Sequence, residues 1–126
     1  MRLRLYALAL GGLSTFVLVG CGSGSSSHGA VTSVDPNAPT LDVIAKSFAF
    51  DPDAITVKSG EVRTLVLHVK DIPHDFTVKE LDIHVHGGAD DVVKQTITFD
   101  KPGTYEFYCS IAGHRQAGMK GQLVVQ

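Results

Sequence analysis

The sequence has no tryptophan and only two cysteines. Two cysteines exclude a disulfide-rich scaffold. Lysine and arginine number 11 against 13 acidic residues, so the net charge is −2 with histidine neutral, and no basic footprint for nucleic acid is present. The 126 residues suffice for one domain and leave no room for a second. The 44% of hydrophobic and 19% of charged residues are the balance of an ordinary folded protein.

The first twenty residues predict a signal peptide. Two arginines precede an apolar run over residues 5–19, which is shorter than the roughly 20 residues that a membrane span needs. The run ends in Leu18-Val19-Gly20-Cys21, which resembles the lipobox of bacterial lipoproteins. The resemblance implies cleavage after residue 20 and a lipid on Cys21, which would place the protein on a membrane surface outside the cytoplasm. An uncleaved anchor and ordinary signal cleavage are the alternatives.

Residues 21–40 predict a tether between that anchor and the folded domain. Glycine and serine dominate residues 22–29, a composition typical of flexible coil. Pro36 and Pro39 stiffen the far end. His28 lies within the tether and could assist metal capture. We therefore divide the chain into a signal (1–20), a tether (21–40) and a domain (41–126).

Strand signals dominate the domain. Alternation is clearest over residues 62–70, where Leu65, Leu67 and Val69 share one face. Turn signals such as Lys58-Ser59-Gly60 recur between such runs. This pattern predicts an all-β sandwich of seven to eight short strands. The predicted core residues are Phe48, Phe50, Leu65, Leu67, Val69, Phe76, Ile97, Phe99, Tyr105, Phe107 and Val124.

Metal-binding chemistry concentrates in one segment near the C-terminus. Cys109, His114 and Met119 follow one another at intervals of five residues in a loop between two predicted strands. A further histidine, His74, stands after Pro73 at a strand start. One thiolate, two imidazoles and a weak thioether make a type 1 copper site, whereas zinc prefers four cysteine or histidine ligands or an added carboxylate.

The sequence resembles the cupredoxins, small blue copper proteins of the azurin, auracyanin and plastocyanin type. The resemblance covers residues 41–126. Its motifs, in order, are Phe48-x-Phe50-x-Pro52, Val57-Lys58-Ser59-Gly60, Pro73-His74-Asp75-Phe76, Pro102-Gly103-Thr104-Tyr105 and Cys109-x4-His114-x4-Met119-x-Gly121. The resemblance implies a Greek-key sandwich that binds one type 1 copper ion.

The resemblance also implies a role for each ligand. Cys109 would be the thiolate that gives the intense colour, His74 and His114 the equatorial imidazoles, and Met119 the long axial ligand. His114 would lie near the surface and act as the port for electrons. The expected apolar ring around it is Pro73, Ile111, Ala112 and Ala117. The implied function is to carry single electrons between redox proteins, as a monomer that converts no substrate.

Two residues depart from the family pattern. Asp75 stands where relatives often have asparagine, whose amide braces the ligand loop. A carboxylate accepts hydrogen bonds but does not donate them, and its charge favours Cu(II), so we expect a lowered reduction potential. Ala112 stands where relatives often have proline, which predicts a less stiff loop.

Other functions remain open at this point. A protein that stores, senses or delivers copper is the main alternative, and the only hint of an extra metal site is His84-Val85-His86 on one strand face. An oxidase or reductase fragment would need ligands from a second domain. A binuclear copper centre would need two cysteines in the ligand loop, which has only Cys109. A sandwich without metal is the last alternative.

Overall fold

The computed structural model describes residues 34–126, and these residues form nine strands in two sheets. The strands are β1 (Thr40–Lys46), β2 (Ala49–Asp51), β3 (Ala54–Val57), β4 (Glu61–Val69), β5 (His74–Val78), β6 (Ile83–Gly87), β7 (Val92–Phe99), β8 (Gly103–Tyr108) and β9 (Lys120–Val125). A 3₁₀ turn, Lys79–Leu81, joins β5 to β6. The predicted all-β sandwich is confirmed, with nine strands rather than seven to eight. The predicted signal peptide, Cys21 and His28 lie outside the described residues.

The two sheets are built from strands that are distant in the chain. One sheet has the order β2-β1-β4-β7 and the other the order β3-β9-β8-β5-β6. Strands β1 and β4 run parallel, as do β3 and β9, and the other neighbours are antiparallel. Parallel neighbours need a crossover, so the chain passes between the sheets rather than forming hairpins alone.

The core lies between the sheets. Burial follows the period of two along β1 and β6, whereas all five residues of β5 are buried. On β4 the side chains of Leu65, Leu67 and Val69 are fully buried, as the alternation predicted. Phe50 from one sheet meets Phe76 and Phe107 from the other, with ring centroids 5.9 and 5.2 Å away. Phe76 and Phe107 stack at 4.7 Å. These three rings pack against one another between the two sheets.

Most of the predicted core is buried, and Phe48 is the clear exception. Its side chain is 42% exposed, because Ser47 and Phe48 both have left-handed backbones, with φ of 54° and 59°. That turn between β1 and β2 interrupts the strand period, so Phe48 does not point to the same side as Phe50. Tyr105 and Val124 are only partly buried, while Leu123 and Val125 on either side of Val124 are in the core.

The segment before β1 is already fastened to the sandwich. The Asp35 N–H donates to Thr96 Oγ1 at 2.7 Å, and the Thr64 N–H donates to the Pro39 carbonyl at 2.9 Å.

Among residues 34–126, no helix is both long and apolar enough to span a membrane.

Candidate metal centre

The first histidine of the site is placed by the start of β5. His74 is the first residue of that strand and is completely buried. The loop before it turns through Asp71, whose φ of 64° is left-handed, and then through Ile72 and Pro73. The Asp71 carboxylate lies beside the ring, with Oδ1 3.0 Å from His74 Nε2. Nδ1 is therefore the ring nitrogen that is free to face the interior of the site.

The other candidate donors lie on the loop between β8 and β9. The Cys109 N–H donates to the Met119 carbonyl at 3.1 Å, and the Met119 N–H donates to the His114 carbonyl at 3.1 Å. These two hydrogen bonds close the loop and bring Cys109, His114 and Met119 close together. Gly113 and Gly118 have φ of 86° and 102°, which glycine adopts without strain.

The outer side of this loop is fastened to β8. Arg115 donates from Nε to Glu106 Oε1 at 2.8 Å, and its guanidinium carbon lies 4.0 Å from the centroid of the Tyr108 ring. Because Tyr108 directly precedes Cys109, this stack holds the strand end from which the cysteine projects.

Three of the four predicted donors meet in the structure. The His74 and His114 Nδ1 atoms are 3.2 Å apart, and Cys109 Sγ lies 3.4 Å from His114 Nδ1 and 4.0 Å from His74 Nδ1. Metal bonds to imidazole and thiolate are about 2.0–2.3 Å long, so donors at these separations can share one ion. Within residues 34–126 this is the one group of three or more His, Cys, Asp or Glu residues arranged for a metal.

Met119, the fourth predicted donor, is fully buried in the same core cluster as Cys109. One thiolate, two imidazoles and a nearby thioether are soft and intermediate donors, which suit copper better than magnesium, calcium or manganese. The residues present therefore fit a single copper ion.

His84 and His86 both lie exposed on β6, outside this cluster.

The cysteine is buried, and a backbone N–H faces its sulfur. Burial raises the pKa of the Cys109 thiol above its ordinary value, while the Asp75 N–H, 3.4 Å from Sγ, opposes that rise by stabilising the thiolate. Cys109 is the free cysteine of the described chain. A metal ion that displaces the thiol proton would offset the cost of charging this buried group.

The Asp75 side chain braces the ligand loop by accepting hydrogen bonds. Its Oδ1 accepts from the Ser110 N–H at 2.7 Å and from the Thr77 hydroxyl at 3.0 Å, and its Oδ2 accepts from the Ser110 hydroxyl at 2.7 Å. The residue is 2% exposed. The brace expected of an asparagine is therefore present, with donors supplied by the loop instead of by the side chain at position 75.

His114 lies just beneath the surface, at 9% exposure. The ring of Phe48 meets it edge-on, with centroids 4.9 Å apart, and lies 6.4 Å from the ring of His74. Of the expected apolar ring, Ile111 packs partly buried against the core, while Pro73, Ala112 and Ala117 are exposed.

Two residues of this region were missed by the sequence reasoning, Phe48 and Asp71. Phe48 fits the period of a core strand, and only its left-handed backbone turns it toward His114. Asp71 precedes His74 by three residues, and that proximity is the one signal available. This spacing alone does not determine where the Asp71 carboxylate points. Its contact with His74 depends on the left-handed turn at Asp71.

The described geometry agrees with comparisons to known proteins. A family model described as a cupredoxin-like domain matches residues 14–125. Cytochrome c oxidase subunit 2 of Thermus thermophilus is 31% identical over 98 residues, which are 77% of this chain and 73% of that one. The copper-resistant cuproprotein CopI of Rubrivivax gelatinosus is 32% identical over 108 residues, 67% of this chain and 64% of that one.

A structural comparison shows the same fold. Auracyanin B superposes with a TM-score of 0.65 at 21% identity, covering 75% of this chain and 94% of the auracyanin. At that identity the likeness concerns the arrangement of the strands.

Proposed function

Since this chain belongs to the cupredoxin-like family, we propose that it carries single electrons between redox proteins through a type 1 copper site. The cofactor is one copper ion, which supplies the Cu(I)/Cu(II) couple. His74, Cys109, His114 and Met119 are the proposed ligands. The observation that carries the proposal is the meeting of two imidazole nitrogens and one thiol sulfur within 4.8 Å of one another.

The surroundings of the donors suit electron transfer. His74, Cys109 and Met119 are completely buried and held by strands or by a closed loop, so a change of charge on bound copper would move them little. His114 approaches the surface beside the exposed ring of Phe48 and forms the proposed port. The donor and acceptor proteins would dock there, and no substrate would be converted.

We propose that the chain is attached to a membrane outside the cytoplasm. The Leu18-Val19-Gly20-Cys21 motif supports a lipid on Cys21, and residues 21–40 would tether the domain to that anchor. Two or more acyl chains hold a protein at a membrane surface, since each buried methylene contributes about 0.8 kcal/mol. The domain would act there as a monomer.

Copper storage, sensing or delivery is the second candidate. The likeness to CopI, a copper-resistance protein by its name, favours it. A carrier keeps its copper while it exchanges electrons, whereas a delivery protein passes the ion on. Incubation of the copper-loaded chain with a metal-free copper protein separates the two, because transfer of the ion supports delivery and retention supports the carrier.

The test of the proposed site is a copper titration of the full chain in mild detergent. We expect Cu(II) to bind in a 1:1 ratio, with an intense visible colour and a paramagnetic resonance signal. Cys109→Ser should abolish the colour, and Cys21→Ser, which removes the other cysteine, should leave it unchanged. A colourless wild-type chain after oxidising titration would contradict the proposal.

A further inference from the structure

The loop between β4 and β5 contains an aspartate whose two oxygens serve different neighbours. Asp71 Oδ1 lies 3.0 Å from His74 Nε2 and also accepts the Ile72 N–H at 2.8 Å. Its Oδ2 accepts the Ser47 N–H at 2.7 Å, and the Ser47 hydroxyl lies 3.4 Å from the same atom. The carboxylate therefore joins the start of β5 to the turn between β1 and β2.

The first contact determines which nitrogen of His74 can bind a metal. An ionised carboxylate has no proton to donate, so the hydrogen bond requires a proton on Nε2. Nδ1 then carries the lone pair, and Nδ1 is the atom that faces His114 and Cys109. Because His74 is completely buried, no water competes for its Nε2 proton. A carboxylate in this position also makes the imidazole a stronger electron donor.

The second contact holds a backbone turn that is unfavourable for its residues. Ser47 and Phe48 have φ of 54° and 59°, in the left-handed region that side chains other than glycine and asparagine rarely adopt. The Ser47 N–H is one of the donors that tie this turn to the rest of the molecule. The turn carries Phe48, whose ring meets His114 edge-on at 4.9 Å.

We propose that Asp71 is a positioning residue with two arms. The first arm is its contact with His74 Nε2, which fixes His74 as a donor through Nδ1. The second arm is its contact with the Ser47 N–H, which holds Phe48 against His114. The proposal rests on the copper site proposed above. Through the first arm the carboxylate increases electron donation to copper and so favours Cu(II), which lowers the reduction potential. Through the second arm it shapes the surface beside His114 where partners would dock. One side chain thus affects both the reduction potential of the copper and the surface beside His114 where partners would dock.

The test compares Asp71→Asn with Asp42→Asn in the full, copper-loaded chain. Asp42 is a matched control, because its carboxylate lies 2.9 Å from Nε2 of His68, a histidine that is not a proposed ligand. Each variant removes one carboxylate that accepts from an imidazole. We expect Asp71→Asn to raise the reduction potential and Asp42→Asn to raise it much less. Equal shifts in the two variants would overturn the proposal, since they would reflect only the loss of surface charge.

A second measurement needs no copper, and its decisive result comes from the wild-type chain. Long-range ¹H–¹⁵N spectra of the metal-free wild-type chain report which nitrogen of His74 carries the proton. We expect the Nε2–H form in the wild type and a mixture of forms in Asp71→Asn. An Nδ1–H form in the wild type would overturn the proposal even if the variant did not fold.

A third variant separates the arms. Phe48→Leu removes the aromatic ring and leaves the contact between Asp71 and His74, so the His74 proton should stay on Nε2 while the His114 resonances shift. A change of the His74 form in Phe48→Leu would contradict two independent arms. Failure of the wild-type chain to bind copper would contradict the proposed function instead, and the measurement on the metal-free chain would still decide the role of Asp71.

Discussion

At the scale of single residues, the carboxylate of Asp75 shows how a changed side chain keeps a structural role. Its two oxygens accept three hydrogen bonds, two of them from Ser110 in the ligand loop. An asparagine could keep some of these bonds through its oxygen, but its amide nitrogen would face a donor. The residue therefore adds a negative charge beside the proposed copper without loosening the loop.

We expect Asp75→Asn to raise the reduction potential and to destabilise the fold. Loss of the negative charge removes a preference for Cu(II), and a buried donor left without an acceptor costs about 1–3 kcal/mol. Voltammetry and urea denaturation measure the two effects. Ser110→Ala is the control, because it removes one hydrogen bond and leaves the charge, so it should lower stability with a smaller change in potential. An unchanged potential in Asp75→Asn would contradict this account.

At the scale of elements, β9 depends on a glycine in its interior. Gly121 pairs with Phe107 of β8, and a Cβ at Gly121 would overlap the Asp53 carbonyl and the Phe107 ring. Phe107 stacks on Phe76 and meets Phe50 edge-on between the sheets. The Gln122 N–H donates to the same Asp53 carbonyl at 2.8 Å. Neither neighbour can move without disturbing the core or the pairing of β3 with β9.

We expect Gly121→Ala to lower the free energy of unfolding by about 1–3 kcal/mol, the usual cost of inserting volume into a packed region. Gln122→Ala, at the exposed neighbouring position, is the control and should have little effect. Urea denaturation followed by circular dichroism measures both variants. If the two variants proved equally stable, the close approach at Gly121 would not be a constraint.

Elements also show where sequence reasoning succeeds and where it fails. The alternation of β4 predicted its buried face correctly, because one strand face must pack on the core whatever its partners are. The same reasoning misplaced Phe48, because a local turn, held in part by a hydrogen bond from Ser47 to the distant Asp71, overrides the period. Periodicity reports only what the chain does within an unbroken strand.

At the scale of the whole molecule, hydrogen bonds make three acidic side chains more acidic. The hydrogen bond from His68 lowers the pKa of Asp42, and the Lys58 N–H, more than any other group, lowers the pKa of Glu61. The Ile72 N–H is the main cause of the lowered pKa of Asp71, with Ser47 and His74 adding to it. Each carboxylate is more acidic in the folded chain than in the unfolded chain. The stability that they contribute is therefore present above pH about 4 and is lost as the pH falls through the folded pKa values.

We expect the free energy of unfolding to fall as the pH is lowered from 5 toward 3, and Glu61→Gln to make that fall shallower. The variant should also be less stable than the wild type at neutral pH, where the carboxylate accepts the Lys58 N–H at 2.8 Å. Urea denaturation at a series of pH values measures both effects. Glu80→Gln, in the exposed 3₁₀ turn, is the charge-matched control. A pH dependence identical to that of the wild type would contradict the role of Glu61.

The sequence by itself determined the strand class of the domain and the chemistry of its candidate site. Period-two alternation depends only on residues that are close in the chain. Cys109, His114 and Met119 lie on one short loop, so their side chains must lie near one another whatever the rest of the fold is. The order of the strands, the orientation of Phe48 and the two contacts of Asp71 were decided by the tertiary structure. Those features join residues far apart in the chain, such as Asp71 and Ser47, and no local pattern encodes which distant groups meet when the sheets pack together.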